Sequence, residues 1–171
     1  MIAPVFVDTN VFLYARDAGE PSKRPLAAAW LEHLWREQLG RTSCQVLSEY
    51  YVNVTRKLVP GLSFEEAWDD VEALLSWKPV PIDRTVLEAG KDVERRHGLS
   101  WWDSLIVGAA RVQGCALLLT EDLQDGTVLG GVTVRSPFTL GVTEASTTYR
   151  VASTVGRHPK RGRPPGRKSR A

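Results

Sequence analysis

The stretch VFVDTNVFLY, residues 5–14, decides how this chain is read. Val5, Phe6 and Val7 are three strand formers in a row, all apolar. A run without polar alternation predicts a strand covered on both faces, as in the centre of a parallel sheet. Asp8 then interrupts, and from Asn10 the pattern becomes that of a short helix over 10–17. A carboxylate therefore stands at the carboxyl end of a buried strand. That is where parallel α/β sheets bind their ligands.

Working outward, apolar residues recur at helical spacing over 22–40, with Leu26, Trp30 and Leu34 on one face and Gly40 at the end. RTSC, 41–44, is a candidate second strand. Residues 45–58 form a helix closed by Pro60-Gly61. Ser63 and Glu66 make a capping box opening a helix to residue 77. KPVPI, 78–82, is an edge-like strand, because its prolines cannot donate to a ladder. Asp83 caps a helix ending at His97-Gly98. Residues 100–114 are apolar nearly all round, which predicts a helix deep in the domain. CALLLT, 115–120, and GVTVRS, 131–136, complete the strands. Strands alternating with helices predict an α/β fold with a mostly parallel sheet.

The chain has 171 residues, enough for one domain with a substantial core. It shows no membrane-length apolar run and no signal-peptide pattern, so a cytoplasmic setting is expected. Cys44 and Cys115 lie in no CxxC motif and are expected as buried thiols in a reducing compartment. His33, His97 and His158 show no metal-ligand spacing. The net charge of +2 hides an asymmetry: residues 144–171 carry eight basic groups and one acid, while the other 143 residues carry 14 basic and 19 acidic groups. An acidic body, residues 1–142, is thus expected to carry a disordered basic tail, 143–171.

Four acids stand where packing alone does not ask for them. Asp8 and Asp122 follow strands, and Glu49 and Asp103 sit near the starts of helices. Each has a structural alternative. Asp8 suits an N-cap, Asp103 completes Ser100-x-x-Asp103, Glu49 suits a solvated helix face, and Asp122 suits a turn. Together they place one acid from each of four elements at one end of one sheet. Carboxylates about 6 Å apart repel by roughly 3 kcal/mol per pair at an effective dielectric near 20, so four of them call for a cation or for protons. With neither thiolate nor imidazole, the set favours a hard ion such as Mg²⁺ or Mn²⁺. Metal-assisted phosphodiester hydrolysis is the chemistry this suits.

VFVDTNVFLY, VLSEYYVNVTRK around Glu49, LSWWDSLIVGAA around Asp103 and LLTEDLQDG around Asp122 together resemble the PIN-domain ribonucleases, in particular VapC-type toxins of type II toxin–antitoxin systems. The resemblance spans residues 5 to about 138. It implies a three-layer α/β/α sandwich around a mostly parallel sheet, Mg²⁺- or Mn²⁺-dependent endoribonuclease activity, a small antitoxin partner and a homodimer. It implies Asp8 and Asp103 as metal ligands, with Glu49 and Asp122 completing the catalytic acids. Thr9, Asn10 and Thr120 are then supporting donors that fix the carboxylates. Asp125 is a possible substitute acid, with a turn before Gly126 as the favoured alternative. The helices over 22–39 and 45–76 are candidate antitoxin and dimer surfaces. Two other readings stay open: a PIN relative that cuts DNA, and an idle body whose tail carries a nucleic-acid function.

The resemblance does not extend to the tail. Within PKRGRPPGRK, 159–168, Arg-Gly-Arg-Pro looks like an AT-hook core, and arginine is drawn into narrow A·T minor grooves. A polybasic arm without sequence preference is the simpler reading, with Lys160, Arg161, Arg163, Arg167 and Lys168 on phosphates. Of the six tryptophans, Trp30, Trp35, Trp68, Trp77, Trp101 and Trp102, most are expected in the core. Trp101 and Trp102 precede Asp103, and one ring is a candidate for stacking on a base. Removing residues 143–171 is expected to weaken RNA binding and flatten its salt dependence, measured by titration at several salt concentrations. Unchanged binding would exclude a role for the tail in capturing nucleic acid.

Overall fold

The computed structural model describes residues 3–146. Strand β1, Val5–Val7, is fully buried and leads directly into helix α1, Thr9–Arg16. Helix α2, Arg24–Arg36, with Pro25 in its first turn, is followed by the two-residue strand β2, Gly40–Arg41. Ser43 caps α3, Cys44–Arg56, by accepting from the Val46 N–H. The capping box of Ser63 and Glu66 opens α4, Phe64–Leu74, which tightens into a 3₁₀ turn, Leu75–Trp77. Asp83 caps α5, Arg84–His97, and Gly98 closes it in the left-handed conformation. Helix α6, Trp101–Val112, is buried along most of its length. Strands β3, Leu117–Leu119, β4, Val128–Leu129, and β5, Val132–Arg135, follow.

The sheet runs β2-β1-β3-β5-β4. All its pairs are parallel except the β4–β5 hairpin. This is the mostly parallel α/β architecture read from the sequence, with helices flanking the sheet. The hairpin strand β4 was not foreseen. The KPVPI segment contributes a single bridge, Val80 to Ser43, at the β2 edge. The register between β1 and β3 sets Val7 opposite Leu119, so Asp8 and Thr120 emerge side by side at the carboxyl end of the sheet.

Three expectations need correction. Only Trp30 and Trp77 are buried among the tryptophans; Trp35, Trp68 and Trp102 are exposed, because each is covered on one side only or less. Cys115 is buried, but Cys44 is exposed on the first turn of α3. The body does not stop at 142: residues 142–146 are helical and Ala145 is buried. The remainder of the expected tail, including Lys160, Arg161, Arg163, Arg167 and Lys168, lies outside the described residues. Among the described residues no helix is long and apolar enough to cross a membrane.

Helices α5 and α6 meet backbone to backbone. A Cβ at Gly108 would come within 2.8 Å of the Gly90 nitrogen, and one at Gly90 within 2.9 Å of Leu105 Cδ2. This crossing seats α6 and hence the turn that carries Asp103. Gly108→Ala is expected to lower stability by about 1–3 kcal/mol through overpacking, although alanine is the better helix former. Urea unfolding checks this, and a stabilised variant would show that the helices do not touch there.

Candidate active site

The site grows from the β1–β3 register. Asp8 N-caps α1, its Oδ1 accepting from the Thr9 N–H at 2.7 Å. Its Oδ2 accepts from the Thr120 hydroxyl at 2.8 Å. Thr120 Oγ1 in turn accepts from Asn10 Nδ2 at 2.9 Å and from the Asp122 N–H at 3.1 Å. Asn10 Nδ2 also donates to Asp122 Oδ2 at 3.0 Å. On the other side, Thr9 Oγ1 donates to Glu49 Oε2 at 2.9 Å. Thr9, Asn10 and Thr120 thus join Asp8, Glu49 and Asp122 into one hydrogen-bonded network. The N-cap reading of Asp8 is correct.

Asp103 stands slightly apart. It lies in the first turn of α6, where Ser100 Oγ donates to Asp103 Oδ2 at 2.7 Å and accepts from the Asp103 N–H. The link to the other acids runs through Gln45, a buried residue that the sequence reading passed over. Its Nε2 donates to Glu49 Oε1 at 3.0 Å and to the Trp102 carbonyl at 3.4 Å. Gln45 precedes Glu49 by one helical turn, and that i,i+4 spacing was the available signal. Exposed Trp102 stands beside this bridge.

Asp125 does not join the set. Its oxygens accept from Arg135, the Ser136 N–H and Thr139, and these bonds hold its carboxyl below the usual range. Its backbone lies in the turn at Gly126, as the alternative reading had it, and its side chain also holds the turn after β5. A second cluster flanks the site: Tyr14 and Lys23 both hydrogen-bond Glu121, and the Lys23 ammonium sits 4.4 Å from the Tyr14 ring centre. Together with Asn10, Asn53, Lys57 and Asp122, Tyr14 and Glu121 line a groove of about 390 Å³ beside the acids.

The electrostatics differ from the expectation of four mutually repelling charges. Burial is the largest cause raising the Asp8 carboxyl from 3.8 to about 6, and the charges of Asp122 and Glu49 add less. The hydrogen bonds from Thr120 and the Thr9 N–H oppose the rise. Asp122 is exposed and Glu49 half-buried, so water screens them. Among the described residues no three or more Asp, Glu, His or Cys side chains are gathered closely enough to hold a metal ion by themselves. The donor chemistry nevertheless fits a hard cation. Asp8 has no basic side chain among its hydrogen-bond partners, and Asn10 Oδ1 is a buried acceptor with no partner. Mg²⁺ characteristically takes one or two carboxylates and completes its shell with water and substrate.

Folding a carboxyl whose pKa rises from 3.8 to about 6 gives stability that is fully present below about 4 and is lost as pH climbs through about 6. In chelator at neutral pH, Asp8→Asn is therefore expected to be more stable than the unsubstituted protein. The gain is about 2 kcal/mol, after allowing for the Thr120 bond it disturbs. It should shrink towards zero near pH 4. Denaturant unfolding across pH 4–8 measures this, and a gain independent of pH contradicts the assignment.

Comparison with known proteins shows the family. The PIN domain family model matches residues 5–124. Among solved structures, the chain is similar to VapC20 of Mycobacterium tuberculosis, described as a sarcin-ricin loop cleaving toxin, at 19% identity over 67% of this chain and 86% of that one, with a TM-score of 0.49. It is also similar to VapBC2 of Rickettsia felis, solved bound to a DNA fragment from its promoter, at 16% identity over 77% and 97% of the two chains, with a TM-score of 0.51. No curated protein matches it. The family match covers well over half of the 171 residues, and the chain belongs to the PIN domain family.

Proposed function

We propose that this protein is a Mg²⁺- or Mn²⁺-dependent endoribonuclease and the toxin of a toxin–antitoxin pair. The observation that carries the reading is the Asp8–Thr120–Asn10–Asp122 and Thr9–Glu49 network at the carboxyl end of a parallel sheet in a PIN domain. Asp8 and Asp103 would hold the ion. Glu49 and Asp122 would orient water and accept its protons. Thr120 and the Thr9 N–H fix the Asp8 oxygens, so these need not reorient during reaction. When bound, the divalent cation supplies positive charge against the phosphate and makes water more acidic. Glu49, steadied by both Thr9 and Gln45, would be the better placed base for an attacking water.

The partner reading is supported by apolar surface on the helices named for it. Phe64 and Trp68 of α4 are exposed and pack around Tyr51 of α3, with ring centres 6.5 and 6.4 Å away. Such aromatic surface suits an antitoxin or a second copy. A PIN body that cuts DNA is the rival within the same chemistry, and RNA and DNA substrates run side by side separate the two.

RNA cleavage is expected with Mg²⁺ or Mn²⁺ and not in EDTA. Asp8→Asn, Glu49→Gln, Asp103→Asn and Asp122→Asn should each lower the rate by about 10²-fold or more, as loss of a positioned charged group in the transition state does. Cleavage that survives EDTA, or that is equal in Asp8→Asn, contradicts the catalytic assignment.

A further inference from the structure

Two helices of this chain end in the same unusual way. Gln38, after α2, has φ 57°, and Lys78, after the 3₁₀ turn, has φ 52°. Among the described residues they are the two non-glycine positions with positive φ. Helix ends often turn left-handed, and glycine serves there because L side chains resist that conformation. The chain uses glycine for the same task at Gly98 after α5 and Gly114 after α6, where an added Cβ would meet nothing within 4 Å. Gln38 and Lys78 instead line one common cleft. Strained backbone tolerated in favour of particular side chains points to use of those side chains.

The cleft has a volume of about 470 Å³ and is lined by Trp35, Gln38, Gly40, Arg41, Ser76, Trp77 and Lys78. That size suits a small-molecule or single-nucleotide site. Among the described residues its lining includes two cations, Arg41 and Lys78, and no acid. The Arg41 guanidinium is held by the Gly40 carbonyl at 2.8 Å, with the Gln38 carbonyl at 3.4 Å. Trp77 is a fixed wall, packed so closely on Gly40 that a Cβ there would lie 2.5 Å from the ring. Trp35 is 47% exposed, with its ring 5.8 Å from Trp77. The cleft lies at the start of the parallel strands, since Gly40 pairs with Val5. Asp8 is three residues further along β1, roughly 10 Å away at the rise of a strand, so this is not the acidic site.

We infer that this cleft binds a nucleotide unit, its base stacked on Trp35 and its phosphate held by Lys78 and Arg41. Indole faces accept any base, and cations beside them draw the phosphate. Gln38 supplies an amide able to donate to and accept from a base edge. Free nucleotide and single-stranded RNA present the same chemistry, and the experiment separates them. The inference does not depend on the cleavage reaction.

The full chain, in EDTA, is titrated by calorimetry with AMP, with an RNA hexamer and with inorganic phosphate. The same titrations follow for Trp35→Ala, Gln38→Gly and Lys78→Gly. Trp35→Ala should weaken binding by about tenfold or more, the loss typical of a stacked base. Gln38→Gly and Lys78→Gly should weaken it by roughly threefold to tenfold while raising Tm by about 2–4 °C each, because glycine relieves the backbone. AMP binding marks an effector site and hexamer binding alone marks a strand-tracking site; both support the inference. Failure of AMP and hexamer to bind at millimolar concentration, binding of phosphate alone, or variants that bind like the original overturns it.

Discussion

The parallel register of β1 against β3 is the constraint on which the site depends. It sets Val7 opposite Leu119, so the next residue of each strand leaves the sheet at the same point. Asp8 and Thr120 then meet within hydrogen-bond reach without any loop having to be ordered for that purpose. A slip of one residue would exchange the faces of the strand and send Asp8 elsewhere. Burial of Phe6, Val7, Leu118 and Leu119 prevents that slip, since these side chains have no exposed surface to trade. The apolar core thus fixes the position of a polar centre.

That centre is held by neutral donors. The Thr120 hydroxyl and the Thr9 N–H hold Asp8, and the Asn10 amide backs Thr120, while Lys23 is tied to Glu121 and Arg16 to Asp70. Neutral donors orient a carboxylate but leave its charge uncompensated, so burial raises the Asp8 carboxyl. Desolvation of one acid, more than repulsion among four, is what sets the electrostatics here. Glu49 is half-buried and Asp122 exposed, so both stay close to water.

Much of this was legible in the sequence because the signals were local. The buried strands announced themselves as apolar runs, and Ser63, Asp83 and Gly98 marked helix ends by residue type alone. The family resemblance drew attention to Thr9, Asn10 and Thr120, and the structure shows their side chains hydrogen-bonded to Glu49, to Asp122 and to Asp8 respectively. What stayed hidden depends on neighbours distant in sequence. Gln45 looks like any polar residue opening a helix, and only the approach of α6 gives its amide the Trp102 carbonyl. Helical phase puts Trp35 and Trp68 on apolar faces but does not say whether anything covers them. Strand β4 has two residues, too few for periodicity, although Gly130-Gly131 beside it was a hairpin signal. The Ser100–Asp103 cap, by contrast, was readable from residue type, and the structure shows it.

The account rests on a divalent ion seated against Asp8, and anomalous scattering from crystals soaked in Mn²⁺ tests this most directly. It predicts a peak in contact with the Asp8 carboxylate, lost in Asp8→Asn. A peak elsewhere on the molecule, or no peak at Mn²⁺ concentrations that saturate known oxygen-ligand sites, would contradict it.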